Sequence, residues 1–261
     1  MIDIGANLTN SAFDHDIDAV LERAVHAGVE RIIVTGTDLE SSAAAVDLCA
    51  LHDPHLYCTV GVHPHDAANA TGSWLDRLER LARSPFVCAI GETGLDFNRN
   101  YSPSPTQHAA FDAQLALASR LALPVFVHDR DTGPAVAEHI ERHRANLRDV
   151  VVHCFTGDGA QLARYLELDC HIGITGWICD ERRGAQLESL VGQIPDEKLL
   201  IETDAPYLMP RTMTPRPKTR RNEPGNLIWI ARTIAQAKGQ SIEHVCNVTT
   251  ENARRVFALS R

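Results

Sequence analysis

Short runs of apolar, β-branched residues alternate along the chain with longer stretches in which apolar positions recur every three to four residues. This alternation is the mark of βα units built around a parallel sheet. Strands are expected at 2–4, 31–35, 56–60, 86–90, 124–127, 150–152, 171–174 and 199–201, with helices near 14–27, 39–51, 73–83, 105–121, 131–144, 158–167, 181–191 and 223–237. Eight units use up the 261 residues, so one domain, 1–261, is expected. The predicted fold is α/β, an eight-stranded (β/α)8 TIM barrel, because closure removes the edges that an open eight-stranded sheet must protect. A doubly wound open sheet is the alternative. Residues 241–257 predict one or two short helices that flank or plug the barrel.

Composition narrows the partners. A hydrophobic fraction of 44% supports one large core, while a net charge of −9 argues against binding nucleic acid through a uniformly basic surface. Any such contact has to be local. The seven cysteines, at 49, 58, 88, 154, 170, 179 and 246, include no Cys-x-x-Cys pair. They fit neither a disulfide framework nor a zinc knuckle and are expected to be reduced and mostly buried. The chain starts directly in a strand pattern and contains no apolar run of about 18 residues, so a soluble, cytoplasmic monomer without a membrane partner is expected.

In a barrel of this kind the reacting groups sit at the carboxyl ends of the strands. Gly61-Val62-His63-Pro64-His65-Asp66 follows the third strand, Gly91-Glu92-Thr93-Gly94-Leu95-Asp96 the fourth, His128-Asp129-Arg130-Asp131 the fifth, His153-Cys154-Phe155 the sixth and Glu202-Thr203-Asp204-Ala205-Pro206 the eighth. A single His or Glu at a strand end is more often a hydrogen-bonded structural residue than a ligand. Strands closing in chain order would bring Glu92, His128 and His153 to one mouth, with Asp204 facing them, and such a collection favours a bound divalent cation. Mixed oxygen and nitrogen donors leave Mg, Mn, Fe or Zn open. Asp204, on a sharp turn, is the candidate general base, against a plain turn-capping role.

His63 and His65, two residues apart around a proline, are expected to lie on one side in extended geometry, to hold a second cation or contact a phosphate. For His65 a solvated turn is an equal reading. Residues 94–100 predict a flexible loop with Phe97 for base stacking and Arg99 for phosphate, or with Phe97 simply packed beneath its own loop. The segment 210–222 carries Arg211, Arg216, Lys218, Arg220 and Arg221 and no acid. It is either solvated surface or local attraction for an anionic substrate. Asn222-Glu223-Pro224 then predicts a helix start.

The stretches GVHPHD (61–66), IGETGLDFNR (90–99), PVFVHDRD (124–131), VVHCFTG (151–157), GITGWICDERRG (173–184), LLIETDAPYLMPR (199–211) and RRNEPGNL (220–227) resemble the TatD family of metal-dependent deoxyribonucleases along the whole chain. The opening DIGANLT (3–9) is similar to the branch that gives the family its name. The resemblance implies a (β/α)8 barrel of the metallo-dependent hydrolase type with Mg2+-supported nuclease activity, Mn2+ or Zn2+ being alternatives. For the namesake branch it implies a 3′→5′ exonuclease on single-stranded DNA and RNA. It assigns Glu92, His128, His153 and Asp204 to the metal and catalytic positions, and His63 and His65 to a motif that contacts metal-bound phosphate. Most members open with Asp-x-His-x-His after the first strand; Gly5 and Asn7 stand there in this chain, as in the namesake branch, which implies a second cation that is weak or arrives with substrate.

The expected chemistry is attack of a metal-activated water on a phosphodiester, with Asp204 taking the proton and His63, His65, Arg99 or Arg130 positioning the anion. Two rivals share the site: an amidohydrolase or a deacylase of aminoacyl-tRNA, and an inactive nucleic-acid-binding barrel.

Overall fold

The computed structural model describes residues 1–52, 54–215 and 217–259. Eight strands follow one another in chain order through one sheet, β1 (Ile2–Ala6), β2 (Arg31–Val34), β3 (Leu56–Val60), β4 (Val87–Asp96), β5 (Val125–Arg130), β6 (Val150–Val152), β7 (His171–Ile174) and β8 (Leu199–Ile201). Helices separate them: α1 (Ile17–His26), α2 (Leu39–Leu51), α3 (Trp74–Ala82), α4 (Ser104–Leu121), α5 (Ala135–His143), α6 (Gly159–Glu167), α7 (Ala185–Val191) and α8 (Leu227–Lys238), with α9 (Ile242–Phe257) last. This is the chain-ordered βα alternation of a (β/α)8 barrel, the fold class that the sequence predicts. No helix among the described residues is long and apolar enough to cross a membrane. Five of the seven cysteines are buried and the other two half-buried.

The chain divides into two compact units. The first comprises residues 1–34, 154–158 and 172–261. In it β1 pairs in parallel with β2 (Ile2↔Arg31, Asp3↔Ile32) and β7 with β8 (Ile172↔Leu199, Ile174↔Ile201). The chain leaving β8 returns to the chain leaving β1: Ala6 bridges Ala205, and the Asn7 N–H donates to the Ala205 carbonyl at 2.7 Å. Ile2, Ile4, Ile33, Ile172 and Leu200 are fully buried, as strands covered on both faces require. Ser241 caps α9 by accepting the His244 N–H at 3.1 Å, and this helix runs unbroken for 16 residues. One long helix thus stands where one or two short helices were expected.

The second unit comprises residues 35–153 and 159–171. In it β3, β4, β5 and β6 pair successively in parallel. Strand β4 was expected to end at 90, but it continues to Asp96, so the stretch expected to open a flexible loop at 94 begins as strand. The cause is glycine at two places where β4 runs against β5. Gly91 and Gly94 have φ of +145° and +139°, and a Cβ there would meet the Phe126 carbonyl at 2.3 Å and the His128 carbonyl at 2.0 Å. Freed of side chains, β4 shifts register between Ile90 and Thr93 and pairs on with β5 beyond that irregularity (Thr93↔Val127, Gly94↔His128, Asp96↔Arg130). Two buried amides on α4 secure the ends. Gln107 accepts the Asp96 N–H at 2.9 Å, and Gln114 accepts the Val62 N–H at 2.8 Å and donates back to the Val62 carbonyl at 3.0 Å.

Several helices start later than their periodicity predicts, because polar residues ahead of them bond to nearby backbone instead. Asp180 accepts the Arg182 and Arg183 amides, delaying α7 to Ala185. Asn222 donates to the Thr203 carbonyl at 3.0 Å and accepts the Glu223 N–H at 2.9 Å, so α8 begins at Leu227 and not at the expected 223.

The buried Asp3 side chain ties β1 to β8 by accepting the Thr203 N–H (2.9 Å) and the Thr203 hydroxyl (2.5 Å). Burial pushes its pKa up to about 8, outweighing the Thr203 bonds that lower it. A carboxyl whose folded pKa exceeds its unfolded 3.8 contributes stability that is full below 3.8 and is lost as pH rises through about 8. Asp3→Asn should therefore flatten part of the decline in thermal-unfolding midpoint between these pH values. A decline identical to that of the wild type would show that Asp3 does not carry it.

Candidate metal centre

The site in the second unit is built from three strand ends. Glu92 is donated by the continued β4, where its N–H bonds the Gly36 carbonyl at 2.7 Å. His128 lies on β5, and His153 follows β6 with its N–H on the Val127 carbonyl at 2.9 Å. One oxygen of Glu92, Oε1, meets His153 Nε2 at 2.8 Å, His128 Nδ1 at 2.9 Å and His63 Nε2 at 3.3 Å. Ligand atoms of His63, Glu92 and His128 all lie within 4.8 Å of one another. Of the residues singled out from the sequence, the structure brings Glu92, His128 and His153 together, and His63 joins them.

His63 arrives by a different route from the extended geometry expected. It caps a short 3-10 turn, Pro64–Asn69, and its Nδ1 accepts the His65 N–H at 3.1 Å. The neutral ring then carries its proton on Nε2, facing Glu92 as a donor. Such a nitrogen suits an anionic oxygen better than a cation. The His65 ring stands edge-on to His63, with centroids 4.3 Å apart. Its Nε2 is 2.8 Å from Asp96 Oδ2, which His128 Nε2 also approaches at 3.4 Å. His128 is thus held between two carboxylates, its Nε2 proton directed at Asp96 and its Nδ1 turned to Glu92. A carboxylate behind a histidine fixes its tautomer and raises its basicity as a ligand. By these roles Glu92, His128 and His153 are the donors that could hold a divalent ion.

The electrostatics agree. Burial would raise the Glu92 pKa, but the His153 and His63 rings, with the His128 and His153 hydrogen bonds, hold it well below the ordinary carboxylate value. Burial pushes His63 down. Burial also opposes the charged form of His128, yet its hydrogen bonds to Asp96 and Glu92 raise it. The Glu92 carboxylate with the His128 and His153 imidazoles is a donor set that fits a divalent cation, which would take the place of the protons now shared between them.

Asp204 belongs to the first unit, at the carboxyl end of β8. Its backbone is left-handed (φ +53°), its N–H bonds the Gly5 carbonyl at 2.8 Å, and Asn7 Nδ2 donates to its Oδ1 at 2.9 Å. The two positions where histidines were noted as missing therefore orient Asp204. The basic segment is partly neutralised: Arg211 pairs with Asp180 (3.3 Å), and Arg221 pairs with Asp16 (2.7 Å) and Glu223 (2.6 Å). The Arg221 hydrogen bond lowers the Asp16 pKa to about 2. Lys218 and Arg220 are exposed, and Arg216 lies outside the described residues.

The other sequence candidates are on the same unit as Glu92. Arg99 and Arg130 are exposed, and the Arg99 N–H donates to Asp96 Oδ1 at 2.8 Å. Phe97 is half-buried, its N–H on the Arg130 carbonyl at 3.0 Å and its ring 5.7 Å from His108, which is the packed arrangement. Sequence reasoning missed Asp96, Gln107 and Gln114. The two glutamines sit seven residues apart on the face of α4 that also buries Phe111 and Leu115, and polar residues on such a face were the available signal.

The chain matches the family model described as TatD related DNase over residues 2–258. It is 46% identical over 260 residues to the 3′-5′ ssDNA/RNA exonuclease TatD of Pectobacterium parmentieri, covering 100% of both chains. The protein of the same description from Edwardsiella piscicida is 47% identical, again over 100% of both. Among solved structures, a hydrolase of the TatD family from Entamoeba histolytica superposes with a TM-score of 0.90 at 29% identity, covering 100% of this chain and 98% of that one. A TatD homologue of Escherichia coli K12 does so with a TM-score of 0.88 at 29% identity and the same coverage.

In metal-free protein, imidazole NMR should show His128 titrating above the ordinary 6.5 and His63 below it, with Glu92→Gln moving His128 downward. Ordinary titration of both rings, unaffected by Glu92→Gln, would contradict the described hydrogen-bond roles.

Proposed function

The chain belongs to the TatD related DNase family, and from that membership we propose that it is a metal-dependent nuclease that removes nucleotides from the 3′ end of single-stranded DNA and RNA. The observation that carries the reading is the convergence of His128 Nδ1 and His153 Nε2 on Glu92 Oε1 at 2.9 and 2.8 Å, within the residues that match the family model. Glu92, His128 and His153 would hold the cation, and Asp204 is the candidate base. Mg2+ suits the Glu92 carboxylate and a phosphate substrate; Mn2+ or Zn2+ suit the imidazoles. When bound, a divalent ion lowers the pKa of water and offsets charge on the phosphoryl oxygens.

The remaining work falls to side chains. Asp204, held by Asn7 and by its left-handed backbone, accepts the proton of the attacking water. His63, with its proton fixed on Nε2, donates to a phosphoryl oxygen, and His65, Arg99 and Arg130 orient the anion. His128 keeps its orientation through Asp96. The protein acts as a monomer on a single strand.

Strands labelled at either end, incubated with Mg2+ or with EDTA, test the reading. Stepwise shortening from the 3′ end only with metal is expected, and Asp204→Asn should slow it by roughly 100-fold or more, the scale of a lost general base. Shortening in EDTA, or full activity in Asp204→Asn, would refute it.

A further inference from the structure

Tyr101 is a large aromatic ring exposed beside His65, 66% accessible. Its centroid lies 4.8 Å from that of His65, edge to face, and His65 in turn lies 4.3 Å from His63. Two ring contacts therefore connect Tyr101 to the oxygen of Glu92. An exposed ring on a loose loop would mean little, but the segment that carries this one is tied down on both sides. The next residue, Ser102, is fully buried; its hydroxyl donates to the His65 carbonyl at 2.7 Å and accepts the Ala68 N–H at 3.0 Å. Gln107 Nε2 holds the Ser102 carbonyl at 2.8 Å, and Asn100 Nδ2 bonds the Phe97 carbonyl at 2.6 Å. The backbone is thus anchored while the ring is turned outward, the arrangement of an aromatic side chain kept ready for a partner.

Exposed guanidinium groups accompany it, Arg99 on the same segment and Arg130 at the end of β5. An aromatic face with cations nearby is the chemistry that binds a single-stranded nucleic acid, the ring taking a base and the cations the backbone. We propose that Tyr101 is the stacking platform for the terminal unpaired base of the substrate and so makes the site selective for frayed or single-stranded ends. This rests on the nuclease reading above. It also moves the stacking role from Phe97, whose ring packs against His108, to a residue four positions on. A base still paired and stacked in a duplex cannot offer its face to the ring, so discrimination against duplex ends follows without any contact to base edges.

The test compares strands ending in an ordinary 3′ nucleotide with strands ending in an abasic tetrahydrofuran residue, in the Mg2+-loaded wild type, Tyr101→Ala and Tyr101→Phe. Tyr101→Ala should lower kcat/KM on the ordinary end by roughly 10- to 100-fold, the loss of one base–aromatic stack, and change the abasic end by less than about twofold. Tyr101→Phe should retain the wild-type ratio. Equal losses on both ends, or no loss on the ordinary end, would overturn the proposal. A binding arm separates it from the nuclease reading. With 2-aminopurine as the 3′ base and a phosphorothioate terminal linkage, wild type should quench the fluorescence and Tyr101→Ala should not. Quenching without product from any strand would sink the nuclease reading and leave the platform standing, whereas equal quenching by both proteins, or none by wild type, would sink the platform.

Discussion

The structure depends on one arrangement: a buried carboxylate oxygen, Oε1 of Glu92, with three imidazole nitrogens within 3.3 Å of it. Taking a carboxylate out of water costs several kcal/mol even after relaxation, on the order that only close partners can offset. Here the partners are histidines, which can surrender their protons. That choice distinguishes the cluster from a structural ion pair, because an arginine in the same place would neutralise Glu92 permanently and leave no room for a cation. Asp96 and the His65 backbone N–H act behind the rings. They divide the histidines into a donor, His63, and a ligand, His128, although the two side chains are chemically identical.

Backbone geometry, secured by a few buried amide side chains, holds this arrangement. Gly91 and Gly94 let β4 lie close enough to β5 for Glu92, Asp96 and His128 to come from paired strands. Gln107 and Gln114 then satisfy the strand-end amides that would otherwise be buried without partners, a cost of about 1–3 kcal/mol each. In the other unit Asn7 and Gly5 perform the equivalent service for Asp204, one through its side chain and the other through its carbonyl. Gly5 and Asn7 thus act as supports for Asp204, which gives a physical meaning to residues that, read against the family pattern, register only as absent ligands.

Much of this was legible in the sequence. The eight βα units, and the strand ends that carry Glu92, His128 and His153, follow from periodicity and from the placement of polar residues after apolar runs, because a parallel sheet buried on both faces leaves little other room for them. What was not legible depends on contacts distant in sequence. The continuation of β4 was hidden because its glycines look like a loop, and only the carbonyls of Phe126 and His128 explain them. Asp96 was visible as a letter, but its role needs His65 and His128 at its oxygens. The basic segment promised more free charge than it delivers, since Asp16 and Asp180, which pair with Arg221 and Arg211, lie elsewhere in the chain, and Glu223, just past the segment, also pairs with Arg221. Phe97 and Tyr101 are both aromatic residues near a strand end, and nothing in composition says which of them packs and which stays exposed.

The central claim is that Glu92, His128 and His153 share one divalent cation. Anomalous diffraction from crystals soaked in Mn2+ tests it most directly. The account predicts a single strong peak within bonding distance of a Glu92 oxygen, His128 Nδ1 and His153 Nε2, with His63 Nε2 outside bonding distance. A protein that is active with Mn2+ yet shows no peak at Glu92, or shows its peak on other residues, would contradict it.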